Sequence, residues 1–210
     1  MELRTITRSN GSSYTVRKDK SRYFYPDEWA KFYKTLKVVK RPLYDFLINT
    51  GCRIDEALHI RPMDFDFDRK NVRLWKTKTK AAKGETVGKP RTIPLASAFS
   101  LRMSKQAKKV GHEDCMFPVT QQAAWKMLKT NLKRAGFDDW QLFGLHNIRK
   151  THGMWLKALN VPAEEICLRL GHDYNTYLSH YGSADVFSSQ DLRKIEDFFG
   201  RDFYQRRRRW

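Results

Sequence analysis

The stretch from Leu145 to Gly182 constrains the fold more than any other part of the chain, because helix stops divide it at defined places. Its apolar periodicity predicts a helix over 145–159 that ends near Asn160. Pro162 then opens a shorter helix, and Gly171 ends it. This part of the chain is therefore expected to be helical and tightly turned.

Side chains that bind or attack phosphate recur at fixed points in this stretch. His146 and Arg149 lie on one turn of the first predicted helix, His172 follows the glycine stop, and Tyr181 comes nine residues later. Tyrosine attacks only if its proton is removed and the charge developing on its target is neutralised. Guanidinium and imidazole groups can do this for a phosphate. The pattern therefore predicts a phosphate site.

Basic residues are concentrated in one segment. The 210-residue chain has a net charge of +18, yet residues 69–109 alone contain 13 Lys or Arg and a single acidic residue, Glu85. A merely soluble surface would intersperse acids, whereas a concentrated patch favours a polyanion partner. An acidic membrane face would require a basic amphipathic helix, and this segment instead has the pattern of a hairpin and loop. We therefore expect nucleic acid as the partner and no membrane.

The cysteines and the hydropathy exclude several classes. Cys52, Cys115 and Cys167 are odd in number and contain no C-x-x-C pair, so neither a disulfide framework nor a zinc site is expected. Each is expected to be a small core residue. Because no secretory signal and no run of about 18 apolar residues occurs, a soluble cytoplasmic protein is expected.

The rest of the chain is predicted to form short helices around a small antiparallel sheet. Strands are expected at 71–75 and 91–95, joined by the Lys- and Gly-rich loop 76–90. The helix signals predict helices at 26–36, 42–50, 54–61, 97–109, 120–135 and 188–199. The fold class is therefore α+β and mainly α-helical.

Two apolar faces are predicted within these helices. The first helix has Trp29, Phe32, Tyr33 and Leu36 at helical spacing, and we expect these residues to form core rather than stack on bases. The helix that Thr120 caps has Trp125, Leu128 and Leu132 on one face.

Arg53 follows a glycine break at the start of the next predicted helix. From there its side chain can project into a cleft, or it can pair with Glu56 on the helix surface. The second arrangement is common, and this motif alone favours it.

Together, four sequence boxes resemble the catalytic domain of the tyrosine recombinase (phage integrase) family. TGCRIDEAL resembles the box with the first catalytic arginine, and RLWKTKTK with RTIPL resembles the hairpin with the catalytic lysine. HNIRKTHG is similar to the H-x-x-R box, and LRLGHDYNTYLSHYG to the box that ends in the nucleophilic tyrosine. One box alone would be weak, but four in order over roughly 130 residues make a chance match very unlikely.

The resemblance implies a domain organisation. Residues 23–200 are expected to form the tyrosine recombinase catalytic domain, after a basic polar arm at 1–22 and before a basic tail at 201–210. Family members usually carry a further helical DNA-binding domain before the catalytic one. The chain is therefore expected to be either a fragment or a minimal enzyme.

The resemblance also implies an activity. The chain is expected to be a site-specific recombinase or integrase of a virus or mobile element, which cleaves and rejoins DNA through a 3′-phosphotyrosyl intermediate. Neither a metal nor a high-energy cofactor is expected. The implied catalytic residues are Tyr181 as nucleophile, Arg53 and Arg149 on the phosphate oxygens, His146 and His172 on the phosphate or the tyrosine proton, and Lys78 on the leaving 5′ oxygen.

Some assignments keep competitors. Thr77-Lys78-Thr79 best matches the family pattern, but Lys76 and Lys80 compete with Lys78 for the catalytic role. Tyr174 and Tyr177 compete with Tyr181, although the family spacing favours Tyr181. The predicted DNA contacts are Lys76, Lys80, Lys83, Lys89 and Arg91, while His112 and His152 are expected to be ordinary surface or helix residues.

The implied partner is double-stranded DNA at paired recombination sites. A homotetramer is expected on DNA and a monomer in its absence, with exchange of segments from 183–210, which include the Arg206–Arg209 run. Two rival functions remain: a type IB topoisomerase, which would use nearly the same site, and a DNA-binding module that has lost catalysis.

Overall fold

The computed structural model describes residues 3–7, 11, 13–17, 22–75, 90–181 and 187–200. Within these ranges the chain forms two small antiparallel sheets and a set of packed helices, so the α+β class is confirmed. The strands are β1 (Leu3–Thr7), β2 (Ser13–Arg17), β3 (Phe65–Asp66), β4 (Asn71–Leu74) and β5 (Arg91–Pro94). The helices are α1 (Pro26–Thr35), α2 (Arg41–Thr50), α3 (Ile54–Leu58), α4 (Ser97–Ala107), α5 (Gln121–Arg134), α6 (Leu145–Ala158), α7 (Ala163–Leu170), α8 (Tyr174–Tyr181) and α9 (Ser189–Phe199).

Most helix ends lie where the sequence signals placed them. Thr120 caps α5 by accepting a hydrogen bond from the backbone N–H of Ala123. Gly51 ends α2 and Gly171 ends α7, at φ of +63° and +62°, a left-handed conformation that glycine adopts without steric cost. These two glycine turns form the C-terminal ends of α2 and α7, and both ends take part in the candidate active site described below.

The three-stranded sheet β3-β4-β5 buries one face. Val72 pairs with Ile93 and both are buried, whereas Arg73 and Thr92 pair on the exposed face. This alternation is the period-2 pattern of a half-buried sheet. The pair of Leu74 with Arg91 is the last one in the β4–β5 hairpin, so the two ends of the lysine-rich loop lie side by side.

An N-terminal hairpin was not predicted. Strands β1 and β2 pair in antiparallel register from Leu3 with Arg17 to Thr7 with Ser13, around Gly11 at φ +81°. The sequence indicated the loop at this glycine but not the strands, because each five-residue strand contains only two apolar residues. That residues 1–22 form an arm separate from the catalytic domain remains a prediction.

The apolar face of α5 differs from the expected one. Leu128 and Leu132 are fully buried, but Trp125 is 46% exposed and Ala124 takes its place in the core. Residues 124, 128 and 132 repeat every four positions, and position 125 lies about 100° away around the helix axis. The Lys129 ammonium lies 5.4 Å from the Trp125 ring centroid and covers part of the exposed indole.

Helix α6 lies at the centre of the molecule, and one of its faces holds the N-terminal segment 22–25. Asn147 donates to the carbonyl of Arg22. Thr151 accepts from the N–H of Phe24 at 2.9 Å, and the Trp155 indole donates to the Phe24 carbonyl at 3.0 Å. Positions 147, 151 and 155 follow one another by one helical turn, so the segment runs along the length of α6.

The cysteines only partly follow the expectation. Cys52 is buried in the core, whereas Cys115 and Cys167 are half-buried. Among the described residues, no helix is long and apolar enough to cross a membrane. No group of three or more His, Cys, Asp or Glu side chains in this part of the chain could hold a metal ion.

His152 is a buried residue of helix α6, so of the two expected positions, surface or helix, it takes the helical one. Its Nδ1 donates to the carbonyl of Ile48 at 2.7 Å, and its ring meets that of Phe199 edge to face at 5.7 Å. A Cβ added to Gly51 would lie 2.4 Å from His152 Cδ2, so the turn after α2 packs directly on the imidazole. Burial lowers the pKa of His152 to about 3.

This burial predicts acid sensitivity. The unfolded chain binds a proton on His152 below about pH 6.5, while the folded chain keeps the ring neutral down to about pH 3, so stability falls as the pH decreases through that window. At about pH 5 the loss is roughly 2 kcal/mol from this residue. Urea unfolding of His152→Phe at neutral pH and at about pH 5 should show a pH dependence smaller by that amount. The exposed His112→Phe serves as the control and should retain the full dependence; an unchanged dependence in His152→Phe would contradict the assignment.

Candidate active site

Five of the residues singled out from the sequence come together around the N-terminal half of α6. Arg149, His172 and Tyr181 are in direct contact or ring-stacked, and the charges of Arg53 and His146 perturb the pKa of His172. The turn after α2, helix α6, the turn after α7 and helix α8 each contribute to this cluster. The predicted phosphate site is therefore spatially assembled within one chain.

Arg149 is the buried centre of the cluster. Only 1% of it is exposed, and in the described part of the chain it forms no ion pair with a carboxylate. Nη1 donates to the carbonyl of Gly51 at 2.9 Å and Nη2 to that of Leu170. These carbonyls lie at the C-terminal ends of α2 and α7, where helix dipoles concentrate partial negative charge. Burial, together with the charges of Arg53 and Arg91, lowers the pKa of Arg149 to about 10, so it remains a cation at neutral pH.

His172 is oriented by Arg149. Arg149 Nη2 lies 2.7 Å from His172 Nε2, and because a guanidinium only donates, Nε2 is the acceptor and the proton is on Nδ1. Burial, followed by the repulsion of Arg149 and Arg53, lowers the pKa of His172 to about 3. Nδ1 is buried without a hydrogen-bond partner among the described residues, as is Arg149 Nε.

Tyr181 is enclosed next to these donors. It is 2% exposed, and its ring stacks on His172 with centroids 6.3 Å apart and an interplanar angle of 27°. Burial raises the pKa of Tyr181 to about 12, with Arg149 acting in the opposite direction. The hydroxyl makes no hydrogen bond within the described part of the chain, so the phenol is protonated and not yet activated at neutral pH.

Tyr174 and Tyr177 lie farther from the cations along α8. Tyr174 is 54% exposed and stacks on Tyr177, whose buried ring in turn packs against Tyr181 at 5.5 Å. Tyr177 therefore packs inside the protein. Of the three tyrosines, Tyr181 is the one whose ring contacts His172.

Glu56 braces the arginine turn, as the sequence suggested. It accepts from the backbone N–H of Arg53 at 2.7 Å and from Arg53 Nη1 at 3.4 Å, so Arg53 is held at the start of α3 with a third of its side chain exposed. Arg91 donates to both Glu56 oxygens, at 2.8 and 2.7 Å. Burial by itself raises the pKa of Glu56, but the Arg91 fork outweighs it and the pKa is lowered.

The position of Arg91 could not be read from the sequence. Besides its fork on Glu56, Nε donates to the carbonyl of Arg169 at 2.8 Å, so its polar contacts are made inside the protein. Its predicted contact with DNA remains a prediction. Arg91 also marks the end of the loop with Lys76, Lys78, Lys80, Lys83 and Lys89, all of which lie outside the described residues.

Two histidines complete the exposed side of the cluster. His146 is exposed, and its pKa is lowered by partial desolvation and by the charges of Arg149, His180 and Arg53. His180, which the sequence did not single out, is exposed with its ring centroid 6.2 Å from that of His172. The sequence signal for His180 would have been its position one residue before Tyr181 on the same helix. That helix, α8, was not predicted.

The Glu56–Arg91 pair generates a stability prediction. Arg91→Met leaves the buried Glu56 carboxylate without its fork, which typically costs about 3–5 kcal/mol. Arg73→Met, on the exposed face of the neighbouring strand, should change stability by less than about 0.5 kcal/mol. Urea unfolding at neutral pH measures both, and similar values for the two variants would refute the bracing role.

Comparison with known proteins agrees with this geometry. The sequence model of the phage integrase family matches residues 22–186. Among solved structures, XerA recombinase matches with a TM-score of 0.61 and 16% identity, over 92% of this chain and 68% of that one. The Tn1549 transposon integrase in complex with transposon right end DNA matches with a TM-score of 0.65 and 16% identity, over 87% of this chain and 68% of that one.

A further structure, the integrase from mycobacterium phage Brujita, matches with a TM-score of 0.57 and 16% identity, over 88% of this chain and 60% of that one. The chain thus spans about two thirds of the length of the solved proteins it resembles. At these identities the likeness shows the fold. No curated protein sequence matches the chain.

Proposed function

Because the chain belongs to the phage integrase family of tyrosine recombinases, we propose that it cleaves and rejoins double-stranded DNA at specific sites with Tyr181 as the nucleophile. The observation that carries the proposal is the contact of Tyr181 with His172, which is itself bound to the buried cation of Arg149. This contact supports the proposal because a tyrosine then lies beside side chains that are able to bind phosphate.

The proposed reaction conserves the energy of the phosphodiester. Tyr181 Oη attacks the scissile phosphorus, the bond from phosphorus to the 5′ oxygen breaks, and the phenolic proton is lost while the leaving 5′ oxygen gains one. The product is a 3′-phosphotyrosyl link with a free 5′-hydroxyl. A 5′-hydroxyl of a partner strand then reverses the step, so no high-energy cofactor is required.

Charge stabilisation would come from buried and fixed donors. Within the described ranges, Arg149 Nε and His172 Nδ1 are buried donors without partners, and the oxygens of a phosphate are acceptors suited to both. We assign His172 to hydrogen bonding of the phosphate, because its Nε2 is occupied by Arg149 and its low pKa makes it a poor base. Arg53 and His146, at the exposed edge, complete the set of phosphate contacts.

Binding of DNA would use the basic segment 69–109, whose two strand ends meet beside the Glu56–Arg91 pair. The Tn1549 integrase was solved with transposon right end DNA, and XerH recombinase with its difH substrate. By likeness to these proteins we propose that this chain acts on paired sites in DNA of a mobile element or phage.

The expected exchange of segment 183–210 between copies on DNA would move α9, which lies within that segment, away from its own chain. In the chain as described, Ile195 and Phe199 of α9 are buried, and Phe199 packs on His152 of the same chain. A monomer in the absence of DNA is consistent with this docking. We propose that on DNA the segment 183–210 exchanges between copies in a homotetramer.

The nucleophile is tested by a covalent-adduct assay. On nicked duplex DNA from the flanks of the element, the natural chain should form an SDS-resistant adduct at the 3′ side of the break, because the released 5′ fragment cannot religate. Tyr181→Phe should form none, whereas Tyr177→Phe and Tyr174→Phe should retain it. An adduct that survives Tyr181→Phe would overturn the assignment; joining of strands from two duplexes would separate a recombinase from an enzyme that only nicks and reseals.

The leaving-group acid is tested by changing the leaving atom. Sulfur at the bridging 5′ position leaves as a thiolate and does not need a proton. Lys78→Met should therefore cleave ordinary DNA about 10²–10⁴-fold more slowly but cleave 5′-thio DNA at nearly the natural rate. Arg149→Lys should be slow on both substrates, and rescue of Lys76→Met or Lys80→Met instead of Lys78→Met would move the role to that lysine.

A further inference from the structure

Helix α6 has four residues at spacings of three, four and four that lie along one face: His146, Arg149, Gly153 and Lys157. The first two belong to the candidate phosphate site. The last two contact Tyr181, and neither was singled out from the sequence. One helix face therefore contacts both the proposed electrophile site and the proposed nucleophile.

Gly153 provides the surface on which the Tyr181 ring lies. A Cβ added to Gly153 would lie 2.5 Å from Tyr181 Cε1, 2.7 Å from Cζ and 3.0 Å from Oη. These distances are far below van der Waals contact. With the Tyr181 ring in its present position, position 153 therefore has room for glycine but not for a residue with a Cβ. The hydroxyl end of the ring is thus located by the backbone of α6.

Lys157 fixes the backbone of the same residue. Its ammonium donates to the carbonyl of Tyr181 at 2.6 Å. Tyr181 is the last described residue of α8, and its backbone carbonyl is a hydrogen-bond acceptor. A cation from the last turn of α6 therefore holds the end of α8 at the nucleophile itself.

We propose that Gly153 and Lys157 are positioning residues that set the distance between Tyr181 and the phosphate bound at Arg149; this inference rests on the proposed function of Tyr181. Lys157 binds the main-chain carbonyl of Tyr181, and the proposal gives it a positioning role and no part in proton transfer. Because two of the proposed phosphate ligands, His146 and Arg149, lie on the same helix as the two contacts to Tyr181, α6 links the position of the phosphate to that of the attacking ring. A misplacement of about 1 Å at this step can slow a reaction by as much as 10²-fold.

The test measures single-turnover cleavage of nicked DNA at saturating protein, together with DNA affinity and thermal stability. Lys157→Met should cleave at least about 10-fold more slowly while binding DNA within about twofold of the natural chain. Lys157→Arg, which keeps a cation within reach of the carbonyl, should recover most of the rate. Lys34→Met, at an exposed lysine in the last turn of α1, is the matched control and should behave as the natural chain.

Two further measurements separate positioning from other roles. The 5′-thio substrate should not rescue Lys157→Met, because the sulfur removes the need for a proton on the leaving group and does not reposition Tyr181. Rescue would make Lys157 the general acid and overturn the proposal. Gly153→Ala should likewise slow cleavage without weakening DNA binding. A natural rate in Lys157→Met, or a loss matched by equal loss of DNA affinity or stability, would also overturn it.

These outcomes are distinguishable from failure of the proposed function. If the natural chain forms no adduct, or if Tyr181→Phe still forms one, then the nucleophile assignment fails and not the positioning role alone. If the natural chain forms the Tyr181 adduct and Lys157→Met forms it equally fast, only the positioning inference fails.

Discussion

The structure depends on the way Arg149 is held. Its guanidinium is buried and, among the residues that the structure describes, pairs with no carboxylate. It is bound by main-chain carbonyls at the ends of α2 and α7, beside the glycine turns at Gly51 and Gly171. A buried charge is costly unless it is hydrogen-bonded, so these contacts fix the positions of three helices. Because carbonyls are neutral, the positive charge is not cancelled, and the site remains attractive to an anion.

Helix α6 divides its contacts among its faces. The face of His146, Arg149, Gly153 and Lys157 meets the site and α8. The face of Asn147, Thr151 and Trp155 binds the N-terminal segment, and His152 joins the turn after α2 to α9. Movement of the segment before α1 or of α9 would therefore change contacts of the helix that contains His146 and Arg149.

Glu56 explains how so many cations tolerate one another. It is the carboxylate that Arg53 and Arg91 share, and its charge acts on Arg149 against the repulsion of the other arginines. The pairing makes Arg91 a structural cation while Arg53 stays partly exposed to the cleft. Repulsion within the cluster is thus reduced without blocking the groups that would meet phosphate.

Much of this was determined by the sequence alone. Helix ends follow local chemistry, such as the cap of Thr120 and the left-handed turns of Gly51 and Gly171, and local chemistry can be read from neighbouring residues. The family boxes likewise identified Arg53, His146, Arg149, His172 and Tyr181 as a set, and the structure brings these five residues together.

Only the tertiary structure decided the rest. The hydrogen bonds from Arg91 to Glu56 join residues 35 positions apart. The hydrogen bond from Lys157 to Tyr181 joins α6 to α8 between residues more than 20 positions apart. The burial of His152, the exposure of Trp125 and the place of His180 likewise depend on which neighbours pack against a helix face. Contacts between distant parts of a chain leave no local pattern, because the sequence alone does not show whether a lysine or a glycine faces solvent or contacts a side chain such as Tyr181.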